Sequence, residues 1–444
     1  MPLSSIISKS KNNIRQCIRK GALCLFKEGL YINMRFIATC LFVVSMLCTT
    51  SMKAQVSNIR QDFINFGFPR YEHCSMKILP GAKVKFQDLE PAISKAKHYI
   101  HIEYYKWYND SIGRHILDEL VRAAQRGVKV RILYDAFGCS GEEPDVNDDF
   151  IAHNRSQGLD LVGWDPMRFP YVNHALHRLH RKMVVIDGRM VYTGGLNIAD
   201  YYIHGKPEIG KWADMHARFE GPIVDEYQRL FADMWYKETG EYLDSLAYRS
   251  SEAHLYDKLK EGYEAFVVDR EPGKKSARIR QSYISCLDNA QERVRIINPY
   301  VILVSSVRKA LRRCIERGVE VEILLGHKGD NLISEVSTAR EIYNLARRGA
   351  KVWLCKECFH HDKVMIVDDE LCTVGTANLD ARSLSFDYEV NAYFFSPEYC
   401  RQLNEYFNLH MRTAVMLTED NWKELYPRSK RRLGWWTKGI RGIL

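Results

Sequence analysis

Two copies of one short motif hold the residue types best suited to chemistry in this chain. The first is His180-Arg181-Lys182-Met183-Val184-Val185-Ile186-Asp187, the second His361-Asp362-Lys363-Val364-Met365-Ile366-Val367-Asp368. Both read H-x-K-x4-D. A neutral imidazole can attack an electrophile or move a proton near neutral pH, and an ammonium two residues away can offset anionic charge. Gly194 and Asn197 follow the first copy, Gly375 and Asn378 the second, and each corresponding pair is 181 residues apart. A single short motif is weak evidence, whereas two copies with shared downstream residues at one offset are not a coincidence.

The elements that position these groups read as strands. Four apolar residues rich in Val and Ile fill each motif, as in a buried strand. Alternation along a strand would project His and Lys to the same side. Asp187 and Asp368 fall where the strand should end and turn, and read mainly as structural.

The duplication extends upstream. Residues 99–104 read as a strand, 111–126 as an amphipathic helix with Ile112, Ile116, Leu120 and Ala124 on one stripe, and 128–134 as a strand. Residues 294–297, 306–317 and 319–325 repeat that order. Arg126-Gly127-Val128 and Arg317-Gly318-Val319 are 191 apart, so the first half carries about ten extra residues before its motif. Alternating strands and helices predict an α/β fold in layers.

These residues resemble the paired signature of the phospholipase D superfamily, and of bacterial cardiolipin synthases within it. Ile100-His101-Ile102-Glu103-Tyr104-Tyr105, the run from Asp187 through Gly195 and Asn197 to Asp200, and Val374-Gly375-Thr376-Ala377-Asn378-Leu379-Asp380-Ala381-Arg382-Ser383 carry the resemblance. It spans roughly residue 75 to the C-terminus, and its paired motif is specific for the superfamily but less so for the substrate. It implies two duplicated α/β/α sandwich halves sharing one active site. His180, Lys182, Asp187, His361, Lys363 and Asp368 would be its catalytic set. The resemblance also gives nucleophilic attack to His180 and acid–base work to His361.

With the halves face to face, one imidazole would attack phosphorus to form a phosphohistidine, and the other would protonate the leaving alkoxide. Lys182 and Lys363 would offset charge on the phosphate oxygens, with Asn197 and Asn378 as further donors. No metal or cofactor is required by that route. Each histidine needs an acceptor on its second nitrogen. Asp214 and Glu389 match acidic positions of the family pattern. Glu208 lies at the strict offset from Glu389, but in a Pro/Gly-rich loop, so Asp214 is preferred. His101 and His327 read as satisfied core residues.

The sequence also departs from the family. Asp362 occupies a position usually small or neutral there, and should point away from His361. Gly195 lacks the hydroxyl that Thr376 supplies in the second half. The membrane hairpin common ahead of the family's catalytic region is not read in this sequence.

The net charge of +9 is unevenly placed. Residues 1–54 carry +7, residues 428–444 carry +6, and residues 55–427 carry −4. An acidic body argues against nucleic acid as a partner, and the two basic ends favour an anionic phospholipid surface. The expected organisation is a signal peptide or N-terminal anchor region over 1–54, a first half over 55–245, a second over 246–427 and a basic aromatic tail over 428–444. Residues 36–48 form an apolar run too short to span a bilayer comfortably, which suits an export signal with translation starting at Met34 or an uncleaved anchor. Either places the body outside the cytoplasm. The segment 238–262 is the candidate linker. Trp435 and Trp436 among the tail cations suit an interfacial segment. Cys355-Lys356-Glu357-Cys358 lacks a second ligand pair for zinc, and reads as unpaired or structural cysteines.

The expected activity is condensation of two phosphatidylglycerol molecules to cardiolipin and glycerol. The alternatives are a phosphodiesterase hydrolysing phospholipid or, against the charge balance, nucleic acid, and an inactive membrane-surface scaffold.

Overall fold

The computed structural model describes residues 57–140, 146–166, 176–244, 248, 262–273, 277–439 and 442. Residues 1–54, and the 245/246 boundary drawn from the sequence, lie outside them. Among the described residues no helix is long and apolar enough to cross a membrane.

Residues 55–444 form one compact unit built on a fifteen-stranded sheet. The first half supplies β1 (Arg70–Pro80), β2 (Tyr99–Tyr104), β3 (Lys129–Asp135), β4 (Asp160–Trp164), β5 (Met183–Ile186), β6 (Met190–Gly194) and, after the short β7 (Lys211–Ala213), β8 (Met215–Glu220). The second supplies β9 (Tyr263–Arg270), β10 (Arg293–Ile297), β11 (Glu320–Gly326), β12 (Lys351–Cys355), then the short β13 (Cys358–His360), β14 (Val364–Val367), β15 (Leu371–Gly375), β16 (Glu389–Phe395) and β17 (Ala414–Met416). The order β4-β3-β2-β5-β6-β8-β1 is mirrored by β12-β11-β10-β14-β15-β16-β9, and β1 pairs with β9 to join them. The duplication read in the sequence is therefore a duplication of topology. β17 extends the second half beyond β12.

Both motif inserts, Met183–Ile186 and Val364–Val367, are strands buried along their whole length. Each is central in its half, flanked by an antiparallel hairpin partner and by β2 or β10. With both faces covered by helices, such strands become continuous apolar runs. One expectation needs correction. The strands begin one residue after the lysines, so His180, Lys182, His361 and Lys363 lie in extended lead-ins. At the histidines the lead-in backbone bonds the opposite half, whereas the Lys363 carbonyl already accepts from Gly375 in its own sheet.

Asp187 and Asp368 close the strands. Asp187 accepts from the backbone N–H groups of Lys97, His98 and Tyr99, and Asp368 from those of Gln291, Glu292 and Arg293, all within 2.8 to 3.0 Å. Each adopts a positive φ, 51° and 52°, at the turn. They tie the strand end to the chain entering β2 or β10.

The linker expected over 238–262 starts later than drawn, because Glu238 and Thr239 still belong to the helix Ile223–Thr239. Ile59, Phe63 and Phe68, assigned to the first half by sequence, pack in the core of the second. Cys355 and Cys358 form a disulfide. His101 bonds Gln228 and His327 bonds the carbonyl of Leu425.

Candidate active site

Two cross-half junctions build the site. β7 and β13 pair in parallel, with His360 opposite Ala213. The chain then places Asp214 and His361 side by side: His361 N donates to the Ala213 carbonyl at 2.8 Å, and His361 Nδ1 lies 2.7 Å from Asp214 Oδ2. The second junction mirrors the first. Leu179 bridges Tyr388 in parallel, His180 N donates to the Tyr388 carbonyl at 3.1 Å, and His180 Nδ1 lies 2.7 Å from Glu389 Oε1. Each histidine is thus oriented by the acid of the opposite half. With Nδ1 engaged, Nε2 of each ring is left for proton or phosphorus chemistry.

Lys182 Nζ donates to the His180 carbonyl at 2.7 Å, and Lys363 Nζ to that of His361. Each lysine therefore folds back on its own motif. All four side chains are almost fully buried, and their charges are felt across the halves. Burial holds the His361 imidazole well below its usual range, and Lys363, Lys182 and His180 push it further down. Burial does the same to His180, followed by Lys182. Burial pulls Lys182 down to about 7, against Glu389, which favours its charge. The carboxyls move oppositely: burial pushes Glu389 up to about 7 and Asp214 well above its usual range, opposed by Lys182 and Lys363 respectively. The result is a buried cluster in which burial disfavours the charge on every group, while the positive charge of the lysines opposes protonation of the histidines and would favour a bound anion.

The other sequence-selected groups fall into different positions. Asn197 Nδ2 donates to Tyr202 Oη at 2.6 Å, while Asn378 Oδ1 is buried without a partner. Glu208 is exposed in the loop before β7. Asp362 turns away from His361, bonding His360 Nδ1 at 2.8 Å and Tyr406 Oη at 2.9 Å. Thr376 Oγ1 donates to Glu389 Oε2. At the matching place a Cβ on Gly195 would lie 2.0 Å from Asp214 Oδ1. Gly195 is therefore the space into which the shorter acid fits.

Comparison with known proteins places this geometry. Residues 89–235 and 283–411 match the family model described as "Cardiolipin synthase, PLD-like domain". The chain belongs to this family. It is thereby a phosphatidyltransferase of the phospholipase D superfamily. Among similar relatives, the major cardiolipin synthase ClsA of Bacillus subtilis is 33% identical over 353 residues, 79% of this chain and 72% of that protein. Cardiolipin synthase 1 of Bacillus anthracis is 30% identical over 374 residues, 83% of this chain and 72% of that one. The fold is shared with the crystal structure of phosphatidylserine synthase from Haemophilus influenzae, with a TM-score of 0.68, 17% identity, and coverage of 87% of this chain and all of that one.

Several groups of this cardiolipin-synthase-family site carried little or no sequence signal. Tyr105 packs edge-on to His180 at 4.9 Å, and Tyr202 and Trp212 pack against His361 at 5.8 and 5.5 Å. Tyr105 ends a stretch that bears the resemblance, but its ring contact needs the fold. Asp387, held by Arg382 at 2.9 Å, adds a second carboxylate near His180. Lys85, a cation on the apolar stripe Ala82, Phe86, Leu89 and Ile93, went unread, although its place on that stripe was a signal.

Proposed function

We propose that the protein makes cardiolipin by transferring a phosphatidyl group from one phosphatidylglycerol to the glycerol hydroxyl of another. The observation that supports it best is the pair of crossed histidine–carboxylate contacts, 2.7 Å each, beside two buried lysines. His180 Nε2 attacks phosphorus, the P–O bond to glycerol breaks, and His361 gives its Nε2 proton to the departing alkoxide. His361 then takes the proton of the incoming hydroxyl, whose oxygen attacks phosphorus and breaks the P–N bond. Lys182 and Lys363 offset charge on the phosphoryl oxygens throughout. In vesicles of phosphatidylglycerol the purified protein should convert two lipids to one cardiolipin and one glycerol, measured by mass spectrometry. Phosphatidic acid as the only product would make it a hydrolase instead.

The lipid surface has a candidate contact on the second half. The helix Arg428–Trp436 docks on the helix Leu332–Ala346 through a Lys430–Glu335 ion pair at 2.6 Å and through Gly434, where a Cβ would lie 2.5 Å from the Val336 carbonyl. Trp435 and Trp436 remain 56% and 73% exposed, and Leu332 51%. Aromatic rings beside Arg428, Arg431 and Arg432 suit an anionic bilayer. Trp435→Ser with Trp436→Ser should weaken cosedimentation with phosphatidylglycerol vesicles by about an order of magnitude. Unchanged partition would remove this helix from the membrane contact.

A further inference from the structure

The two crossed pairs are alike in geometry but supported differently. Glu389 receives the hydroxyl of Thr376. Asp214 has no such donor, because Gly195 stands at that place; its Oδ1 accepts the adjacent backbone N–H of Met215 at 2.7 Å. A second difference lies behind it. The helices Ala82–Lys95 and Arg278–Asn289 end on matching caps, Ala96 and Ala290. Counted back from those caps, Lys85 falls where the second half has Ile279. Lys85 is fully buried, its Nζ donating to the carbonyls of Asn197 at 3.4 Å and Leu196 at 3.5 Å, and lying over the rings of Phe86 and Tyr104. A buried ammonium is costly unless something nearby repays it. Here the nearby carboxylate is Asp214, whose charge favours the Lys85 cation against burial and Lys182.

We propose that Lys85 is a positioning residue for the acid–base half of the reaction: through the carbonyls of Leu196 and Asn197 it anchors the loop whose Gly195 abuts Asp214, and so supports that carboxylate in the place of the hydroxyl bond that Glu389 receives from Thr376. An ionised Asp214 accepts from His361 Nδ1–H, so His361 Nε2 is the atom that carries the working proton. Were Asp214 protonated, it would donate to Nδ1, and His361 Nε2–H would belong to a neutral ring that is a poor acid. Burial and then Asp362 favour that protonated state, and Lys363, the Met215 N–H and Lys182 oppose it.

This rests on the covalent reading above, and the test separates the two. Lys85→Met keeps the length and removes the charge, and replacing a buried cation by an apolar group need not destabilise the fold. Full-length protein and variant would be given phosphatidylglycerol or phosphatidyl-p-nitrophenol, which share the transferred group. The nitrophenolate leaves without a proton. First-turnover glycerol release should fall by about 10²-fold, whereas the p-nitrophenol burst should change only a few-fold. In an Asp214→Asn background Lys85→Met should add no further loss of glycerol release, because it acts through that carboxylate. Equal losses on both lipids, no loss on either, or full additivity with Asp214→Asn would overturn the role. A wild-type protein that turns over without a p-nitrophenol burst would instead overturn the covalent reading, and this inference with it.

Discussion

His180→Ala should abolish the phosphoenzyme from any substrate, with turnover falling by about five to six orders of magnitude, the scale seen when a covalent nucleophile is removed. His361→Ala should behave differently. With an alkyl leaving group it should fail, because nothing protonates the departing oxygen. With phosphatidyl-p-nitrophenol it should still form the covalent species, slowly, and that species should then persist because its breakdown lacks a base. Rapid quenching followed by peptide mapping would find the phosphate on His180. Label on His361 would reverse the roles. The assignment follows the family resemblance, since local charge does not impose it. Asp362, adjacent in sequence to His361, is committed to His360 and Tyr406 and makes no hydrogen bond to His361. Besides the two orienting acids, Asp387 favours a charged His180, while burial, Lys182, Lys363 and Arg382 oppose it. The experiment therefore tests a family pattern in a site where burial disfavours the charged form of both histidines.

What the sequence disclosed follows from what repeats in it. The apolar cores of the motif strands were legible because a strand covered on both faces must be a continuous apolar run. The paired architecture was legible because one offset recurred from His180–His361 to Asn197–Asn378. The crossed pairing was not. Asp214 and Glu389 are 175 residues apart, not 181, because the loop leading to Asp214 is longer by six residues than its counterpart. No local pattern says that the partner of His361 lies 147 residues upstream, or that of His180 lies 209 downstream. That information resides in the β7–β13 ribbon and the Leu179–Tyr388 bridge, three-residue and one-residue pairings too short to carry a periodicity. The same limit hid where the strands begin, since lead-in histidines bonded to the opposite half look like strand residues from their own half alone. Gly195 and Thr376 were read as a departure between halves. Their meaning, one acid fitted to an empty space and the other held by a hydroxyl, required both carboxylates in place.

The crossing makes the two acids separable by experiment. Asp214→Asn and Glu389→Gln preserve shape and remove charge, and either should lower phosphatidylglycerol turnover by about 10⁴-fold, as when the orienting carboxylate of a catalytic histidine becomes an amide and its tautomer is lost. The substitutions should then diverge on the activated lipid. Asp214 serves His361, whose first task is to protonate the leaving group, so Asp214→Asn should retain the p-nitrophenol burst and accumulate phosphoenzyme. Glu389 serves His180, whose Nε2 must present a lone pair to phosphorus, so Glu389→Gln should lose the burst itself. Thr376 does not rescue it, because its hydroxyl donates to Glu389 and does not replace the acceptor facing Nδ1. If the pattern came out reversed, with the burst lost in Asp214→Asn and kept in Glu389→Gln, the nucleophile would be His361. If both variants lost glycerol release and burst alike, the carboxylates would be holding the two halves together through Ala213 and Tyr388 rather than orienting individual rings, and a loss of thermal stability measured in parallel would identify that outcome.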